Sequence, residues 1–167
     1  MTFQDHFSLQ AKEYARFRPH YPPQLLRYLS QLAEDHQKAW DCATGNGQVA
    51  ANLTPYFDQV YASDASQKQI EHAIVHERVQ YFVSPAELTS LDEHSLDLIT
   101  VAQGVHWFDL PRFFTEAKRV LKPKGILAIW CYGEFEIPDA PQAFQVSLKK
   151  FGSLEYCGKM VQWRYSK

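Results

Sequence analysis

Trp40-Asp41-Cys42-Ala43-Thr44-Gly45-Asn46-Gly47 decides the reading of this chain, together with the run Gln59-Val60-Tyr61-Ala62-Ser63-Asp64 that follows it. The first stretch reads as a buried strand that ends in a glycine turn and opens a helix. The second reads as a strand that ends in an acid. Glycines let a backbone approach a ligand closely, and a helix N-terminus carries N–H groups without intrahelical partners. An acid that closes the next strand can accept both hydroxyls of a ribose. The layout therefore predicts a site for an adenosine-containing cofactor. Asp41 would be costly to bury unpaired. It either orients the loop by accepting backbone N–H bonds or holds a cationic ligand through water. Asp64 has two readings as well, a ribose acceptor or a helix-capping acid.

Working outward, Pro22 and Pro23 suit the start of a helix, and Leu25, Leu26, Leu29 and Leu32 follow at helical spacing. Strands are expected over 38–43, 59–64, 79–83, 96–101 and 126–131. A helix over 48–57 stops near Pro55. Ser66 is the expected N-cap of a helix carrying Ile70, Ala73 and Ile74 on one face. Pro111 opens a helix with Phe113, Phe114, Ala117, Val120 and Leu121 at core spacing, ended by Lys122-Pro123-Lys124-Gly125. A further helix is expected over 141–151. Strands that are nearly continuous apolar runs, alternating with helices, call for parallel pairing covered on both faces. With right-handed crossovers the fold class is α/β, a doubly wound Rossmann-like, mostly parallel sheet of about five strands with helices on both faces. Ligands in such sheets bind outside the carboxyl ends of the strands, so the segments after strands one, two and four converge on one cleft.

The whole chain bounds the partners. A length of 167 residues fits one domain. The net charge of −2 and the lack of any Lys/Arg block argue against nucleic acid and against an anionic membrane surface. Cys42, Cys131 and Cys157 have no zinc-site spacing and are expected as free thiols in a reducing compartment. No metal is expected. The first residues lack the order of a signal peptide, and no apolar run approaches a bilayer span, so the expected location is cytoplasmic.

Two cofactors fit the glycine turn. Gly45-Asn46-Gly47-Gln48-Val49-Ala50 matches the loose dinucleotide fingerprint with alanine last. S-adenosylmethionine, which has no phosphate, fits the same layout. The chain resembles class I S-adenosylmethionine-dependent methyltransferases of the methyltransferase type 11 kind. That family opens its first loop with Asp-x-Gly-x-Gly-x-Gly, and the match is Asp41 to Gly47 with Ala43 in the first glycine place. Alanine there adds only a methyl, which narrows the space beside methionine. The resemblance places the ribose ligand on Asp64, followed by Ala65. It places the adenine loop on Ser84-Pro85-Ala86-Glu87. Pro85 stands where many members carry Asp, so the adenine contact passes to Glu87 or to backbone. The segment after strand four falls on Ala102-Gln103-Gly104-Val105-His106-Trp107-Phe108. Phe113-Phe114-x-Glu116-Ala117-x-Arg119-Val120-Leu121-Lys122-Pro123-x-Gly125 matches the family's helix and turn before strand five.

Upstream, Asp5-x-Phe7, Tyr14, Phe17-Arg18-Pro19 and Tyr21-Pro22 resemble the N-terminal lid of one subgroup of that family. The resemblance makes Tyr14 and Arg18 face methionine, with the Arg18 guanidinium on the cofactor carboxylate. The alternative for Arg18 is a surface residue in a proline-rich loop. His106 is either a general base or a satisfied structural histidine. The candidate catalytic residues are thus His106 and Tyr14. The candidate cofactor-binding residues are Arg18, Asp41, Ala43, Gly45, Gly47, Asp64, Ala65, Ala86, Glu87, Gln103 and Trp107. Organisation is read as one domain: residues 1–36 lid and helix, 37–133 cofactor core, and 134–167 a C-terminal part too short for the family's last two strands. The expected function is methyl transfer from S-adenosylmethionine to a small-molecule acceptor, by positioning the acceptor in line with the cofactor methyl. The alternatives are a truncated or inactive S-adenosylmethionine-binding domain and, behind it, a nicotinamide-dependent oxidoreductase. Loss of the last strands would leave an exposed sheet edge and a route to a homodimer.

Overall fold

The computed structural model describes residues 21–131, 144–149 and 160–165. In chain order these form α1 (Pro23–Leu32), β1 (Lys38–Cys42), α2 (Gln48–Leu53), β2 (Gln59–Asp64), α3 (Gln67–Glu71), β3 (Val79–Val83) and β4 (Leu96–Ala102). A 3-10 turn (Val105–Trp107), α4 (Leu110–Val120), β5 (Leu121–Trp130), β6 (Phe144–Lys149) and β7 (Met160–Tyr165) complete them. The sheet order is β3-β2-β1-β4-β5-β7-β6, with β1 to β5 parallel. The order reverses between β1 and β4, which are the central strands. Every residue of β4 is buried, as the nearly continuous apolar run required, Asp97 and Thr100 included. Helices cover both faces. Leu25, Leu29, Val49 and Leu53 from α1 and α2 pack with Val60, Leu98, Ala128 and Trp130 on one side. Phe113, Phe114, Ala117 and Val120 from α4 pack with Trp40, Ile99, Leu127 and Ile129 on the other. Alternate residues of each strand thus feed alternate layers.

Three expectations are corrected. The last two strands are present: β7 pairs antiparallel with β5, and β6 with β7. No helix occupies 144–149; that segment is β6. Its composition shows why, because Phe144, Val146 and Leu148 alternate with Gln145, Ser147 and Lys149, a period of two. β5 is consequently not an edge, which removes the sheet edge invoked for a homodimer. Third, α3 ends at Glu71, buries none of its residues and leaves Ile74 45% exposed, so 67–74 does not form the amphipathic helix expected. The β4–β5 register also jumps, from Leu96↔Leu121 to Leu98↔Ile126. Residues 122–125 bulge out there, with Lys124 at φ 68°. Lys122 Nζ lies 2.7 Å from buried Asp97 Oδ1 at this point, and Asp97 Oδ2 accepts the Gln37 and Lys38 amides at 2.8 Å.

The connection from β3 to β4, residues 84–95, holds no helix. It is tied to α4 through Glu116, which is 4% exposed. Glu116 Oε1 accepts from the Thr89 amide (2.8 Å), the Thr89 hydroxyl (2.7 Å) and Arg119 Nη2 (2.7 Å). Arg119 Nε donates to Oε2 at 2.8 Å. Burial by itself would raise the Glu116 carboxyl, but the hydrogen bonds from Arg119 and Thr89 outweigh it and hold it below the usual range. A carboxyl depressed in the folded state adds stability that is present above its unfolded value and is lost as pH falls through the folded one. Glu116→Gln is therefore expected to lower unfolding free energy at pH 7 by about 2 kcal/mol. The loss should shrink below about pH 4. Urea unfolding of both proteins at neutral and acid pH checks it.

Candidate functional site

The carboxyl ends of β1, β2 and β4 meet at the switch point of the sheet. Asp41, one residue before the end of β1, is 1% exposed. A carboxylate at that depth needs donors, and two hydroxyls supply them. Thr44 Oγ1 donates to Oδ2 at 2.5 Å, and Thr100 Oγ1, from β4, donates to Oδ1 at 2.8 Å. Asp41 thereby orients the loop, as one of its two readings held, though through hydroxyls. Neither threonine stands out in the sequence. Thr44 has a weak signal in its three-residue spacing from Asp41, and Thr100 has none.

The turn beyond Asp41 spends its own amides. Thr44 N donates to Ser63 O (2.9 Å), Gly45 N to Asp64 Oδ2 (2.9 Å) and Gly47 N to Thr44 O (3.1 Å). Asp64 Oδ1 accepts the Ser66 amide at 2.9 Å, and Asp64 O accepts from Ser84 N at 3.1 Å. Asp64 thus steadies the start of α3 and stands half-buried beside the glycine turn. Ala65 follows it, exposed. Asn46 Oδ1 is buried in the turn without a hydrogen-bond partner. Trp40 Nε1 donates to Ser63 Oγ at 2.9 Å, so the two strand ends are pinned together.

The two glycines sit at φ 59° and 80°, in the left-handed region. Gly47 is constrained a second way, because a Cβ there would lie 2.2 Å from Tyr81 Oη. Tyr81 reaches under the turn from β3 and donates to Ile74 O at 2.6 Å, while Ile74 N donates to Asn46 O at 2.9 Å. Burial and then the Asp41 charge push the Tyr81 phenol up to about 12, so it stays a donor. Cys42, buried beside Asp41, has its thiol pushed well up by burial first and that charge second, which makes it inert. Ala43, in the family's first glycine place, takes φ 56°. Its departure from glycine is therefore a matter of backbone conformation as well as of one added methyl.

Next to this turn, Gln103 follows β4 at φ 62°, and its amide donates to Trp130 O at 2.9 Å. Gly104 comes next, and a Cβ there would lie 2.8 Å from the Ala43 Cβ. The 3-10 turn then presents His106 and Trp107, both exposed, with ring centroids 5.0 Å apart. Partial desolvation holds the His106 imidazole below its usual value, so it is neutral at pH 7. Ala86 is buried, and Glu87 Oε1 accepts the Asp109 amide at 2.8 Å, joining the loop after β3 to the cap of α4. The structure thus brings Asp41, Ala43, Gly45, Gly47 and Asp64 together at the carboxyl ends of β1 and β2. Gln103, His106 and Trp107 follow the neighbouring strand β4. Glu87 and Ala86 lie in the loop after β3. Tyr14 and Arg18 lie outside the described residues. Tyr81, Gly104, Thr44 and Thr100 are the contributors that the sequence reading did not single out. Among the described residues no cluster of His, Cys, Asp and Glu could hold a metal ion, and no helix is long and apolar enough to cross a membrane.

Gly47→Ala should cost about 2 kcal/mol or more, since it adds left-handed strain and an overlap with Tyr81. Adding Tyr81→Leu should recover the steric part and leave the conformational part. Thermal unfolding of the two variants separates them.

Comparison with known proteins agrees with this geometry. A family model described as a methyltransferase domain matches residues 40–129, the stretch from β1 to the end of β5. A Dictyostelium discoideum protein named as a methyltransferase is 41% identical over 150 residues, 89% of this chain and 57% of its own length. A Saccharomyces cerevisiae protein named as an S-adenosylmethionine-dependent methyltransferase is 27% identical over 163 residues, 92% of this chain and 56% of its own. The chain spans about half the length of the curated relatives it matches. Among solved structures, a chain from Anaeromyxobacter dehalogenans described as a type II methyltransferase superposes with a TM-score of 0.68 at 43% identity, covering 71% of this chain and 50% of that one. A chain from Aquifex aeolicus described as a SAM-dependent methyltransferase covers 98% of this chain and 100% of its own, with a TM-score of 0.75 at 19% identity, a likeness of fold alone. With its matched core spanning β1 to β5 and its glycine turn set between Asp41 and Asp64, the chain belongs to the methyltransferase domain family.

Proposed function

We propose that the cleft binds S-adenosylmethionine and that the protein transfers its methyl group to a small-molecule acceptor. The observation that carries this reading over a dinucleotide is the bonding of the glycine turn. A pyrophosphate binds through free amides of the turn and is disfavoured by a carboxylate directly beside them. Here Thr44, Gly45 and Gly47 have already committed their amides, and the buried Asp41 carboxylate borders the turn. Such a turn suits a cofactor rich in donors and free of phosphate. Asp64 stands half-exposed to accept ribose hydroxyls, and the buried, unpartnered Asn46 Oδ1 awaits one more donor. The residues present therefore fit S-adenosylmethionine, and family membership supports the same choice.

The cofactor supplies an activated methyl on a sulfonium. What remains for the chain is to hold the acceptor in line and exclude water. Trp107 and Phe108, at the carboxyl end of β4, are suited to wall that side, and aromatic faces favour a cationic sulfonium. His106, neutral at pH 7, can take the proton of an acceptor hydroxyl or acid at Nδ1 or Nε2. A net charge of −2 favours a small acceptor over nucleic acid.

Calorimetric titration with S-adenosylhomocysteine tests the reading. The folded chain should bind it in the micromolar range, and Asp64→Ala should weaken binding at least tenfold. Reduced nicotinamide dinucleotide should give no heat of binding. A folded chain that binds the dinucleotide and not the homocysteine compound would overturn the reading.

A further inference from the structure

Two non-glycine residues sit in the left-handed region at the carboxyl ends of neighbouring strands: Ala43 at φ 56°, just past β1, and Gln103 at φ 62°, just past β4. β1 and β4 pair in parallel, with Cys42 opposite Val101, so these residues leave the sheet side by side. A non-glycine residue rarely holds that conformation, and it persists where surrounding contacts impose it, often at functional sites. The next residue on the β4 side, Gly104, shows the converse. Its φ of −110° is open to any amino acid, so its backbone does not ask for glycine. What excludes a side chain is one atom. A Cβ at residue 104 would lie 2.8 Å from the Ala43 Cβ, whereas its next neighbours, Val101 Cγ1 and Phe108 Cζ, would be at ordinary contact, 3.6 and 3.7 Å.

We propose that Ala43 and Gly104 are a matched pair of positioning residues, in which the Ala43 methyl occupies the space between the two loops and sets their separation. The proposal rests on the reading of the cleft as an S-adenosylmethionine site. The β1 loop then carries the cofactor, and the β4 loop, through His106 and Trp107, carries the acceptor side. Their spacing governs how closely the reacting atoms approach, which is where a small displacement costs most. Glycine at 43 would relieve the left-handed strain and also empty the space. Stability and binding should then move in opposite directions, which a merely structural role would not produce.

The experiment is a double-mutant cycle on the full chain, reading melting temperature and S-adenosylhomocysteine affinity for wild type, Ala43→Gly, Gly104→Ala and the pair. Ala43→Gly should melt higher than wild type yet bind about fourfold more weakly, the worth of one buried methyl. Gly104→Ala should melt lower and bind at least tenfold more weakly. The double variant, with the methyl moved from one loop to the other, should return to within about twofold of wild-type affinity. Unchanged or tighter binding by Ala43→Gly overturns the proposal, as does a double variant no better than Gly104→Ala. If Gly104→Ala does not fold, Ala43→Gly and the double variant still decide. If the folded wild type binds no S-adenosylhomocysteine, the cofactor reading fails, and with it the positioning role. The melting temperatures then show separately whether the two loops touch, since additive shifts would deny even the contact.

Discussion

A carboxylate placed almost wholly out of water organises this protein. Asp41, 1% exposed, sits where β1 leaves the sheet, and its charge is tolerable only because donors converge on it. Thr100 reaches it from the adjacent strand and Thr44 from the turn that follows. The first bond ties the two central strands at their carboxyl ends. The second folds the chain back sharply, which leaves Ala43 in the left-handed region and aims Gly45 at Asp64. Everything proposed for the cleft follows from that fold-back. Without it Thr44 and Gly45 would not commit their amides to Ser63 and Asp64.

The surrounding loops are held by the same economy of polar groups. Buried backbone amides must find acceptors, and here acidic side chains supply several of them. Asp64 takes two amides beside the glycine turn, Asp97 takes two at the opposite end of the sheet, and Glu116 fastens the helix-free β3–β4 connection to α4. Glu87 adds a link from that connection to Asp109. The segment on which the resemblance places the adenine contact is thus braced by α4. The segment after β4 is braced by Gln103 on Trp130 and by Gly104 against Ala43. Rigid supports of this kind favour a cleft prepared before ligand arrives, which limits the entropy lost on binding.

The parallel half of the sheet was legible because a strand covered on both faces must be mostly apolar, as 126–131 is throughout and 96–101 is apart from Asp97 and Thr100. The glycine turn and Asp64 were legible because their residue types answer to backbone conformation and charge. Other features hid for physical reasons. β6 and β7 alternate apolar with polar residues, as antiparallel strands at a sheet margin do, whereas a helix was expected over 141–151, a span that contains β6. Tyr81 beneath Gly47 and Thr100 beside Asp41 are contacts between strands far apart in sequence, and nothing local marks them. Gly104 stood in the sequence only as part of the segment after strand four, because its requirement is steric and comes from Ala43. Ile74 had helical spacing yet lies outside α3, because tertiary pairing of its amide with Asn46 replaced the next helical turn.

We propose that the β1 turn, between Asp41 and Asp64, receives S-adenosylmethionine, and a crystal structure of the chain with S-adenosylhomocysteine is the decisive measurement. Both ribose hydroxyls are expected on the Asp64 carboxylate, with the amino-acid end of the ligand beside Ala43 and the β4 loop. Density for the ligand away from the carboxyl ends of β1 and β2, or a ribose that leaves Asp64 untouched, would contradict it.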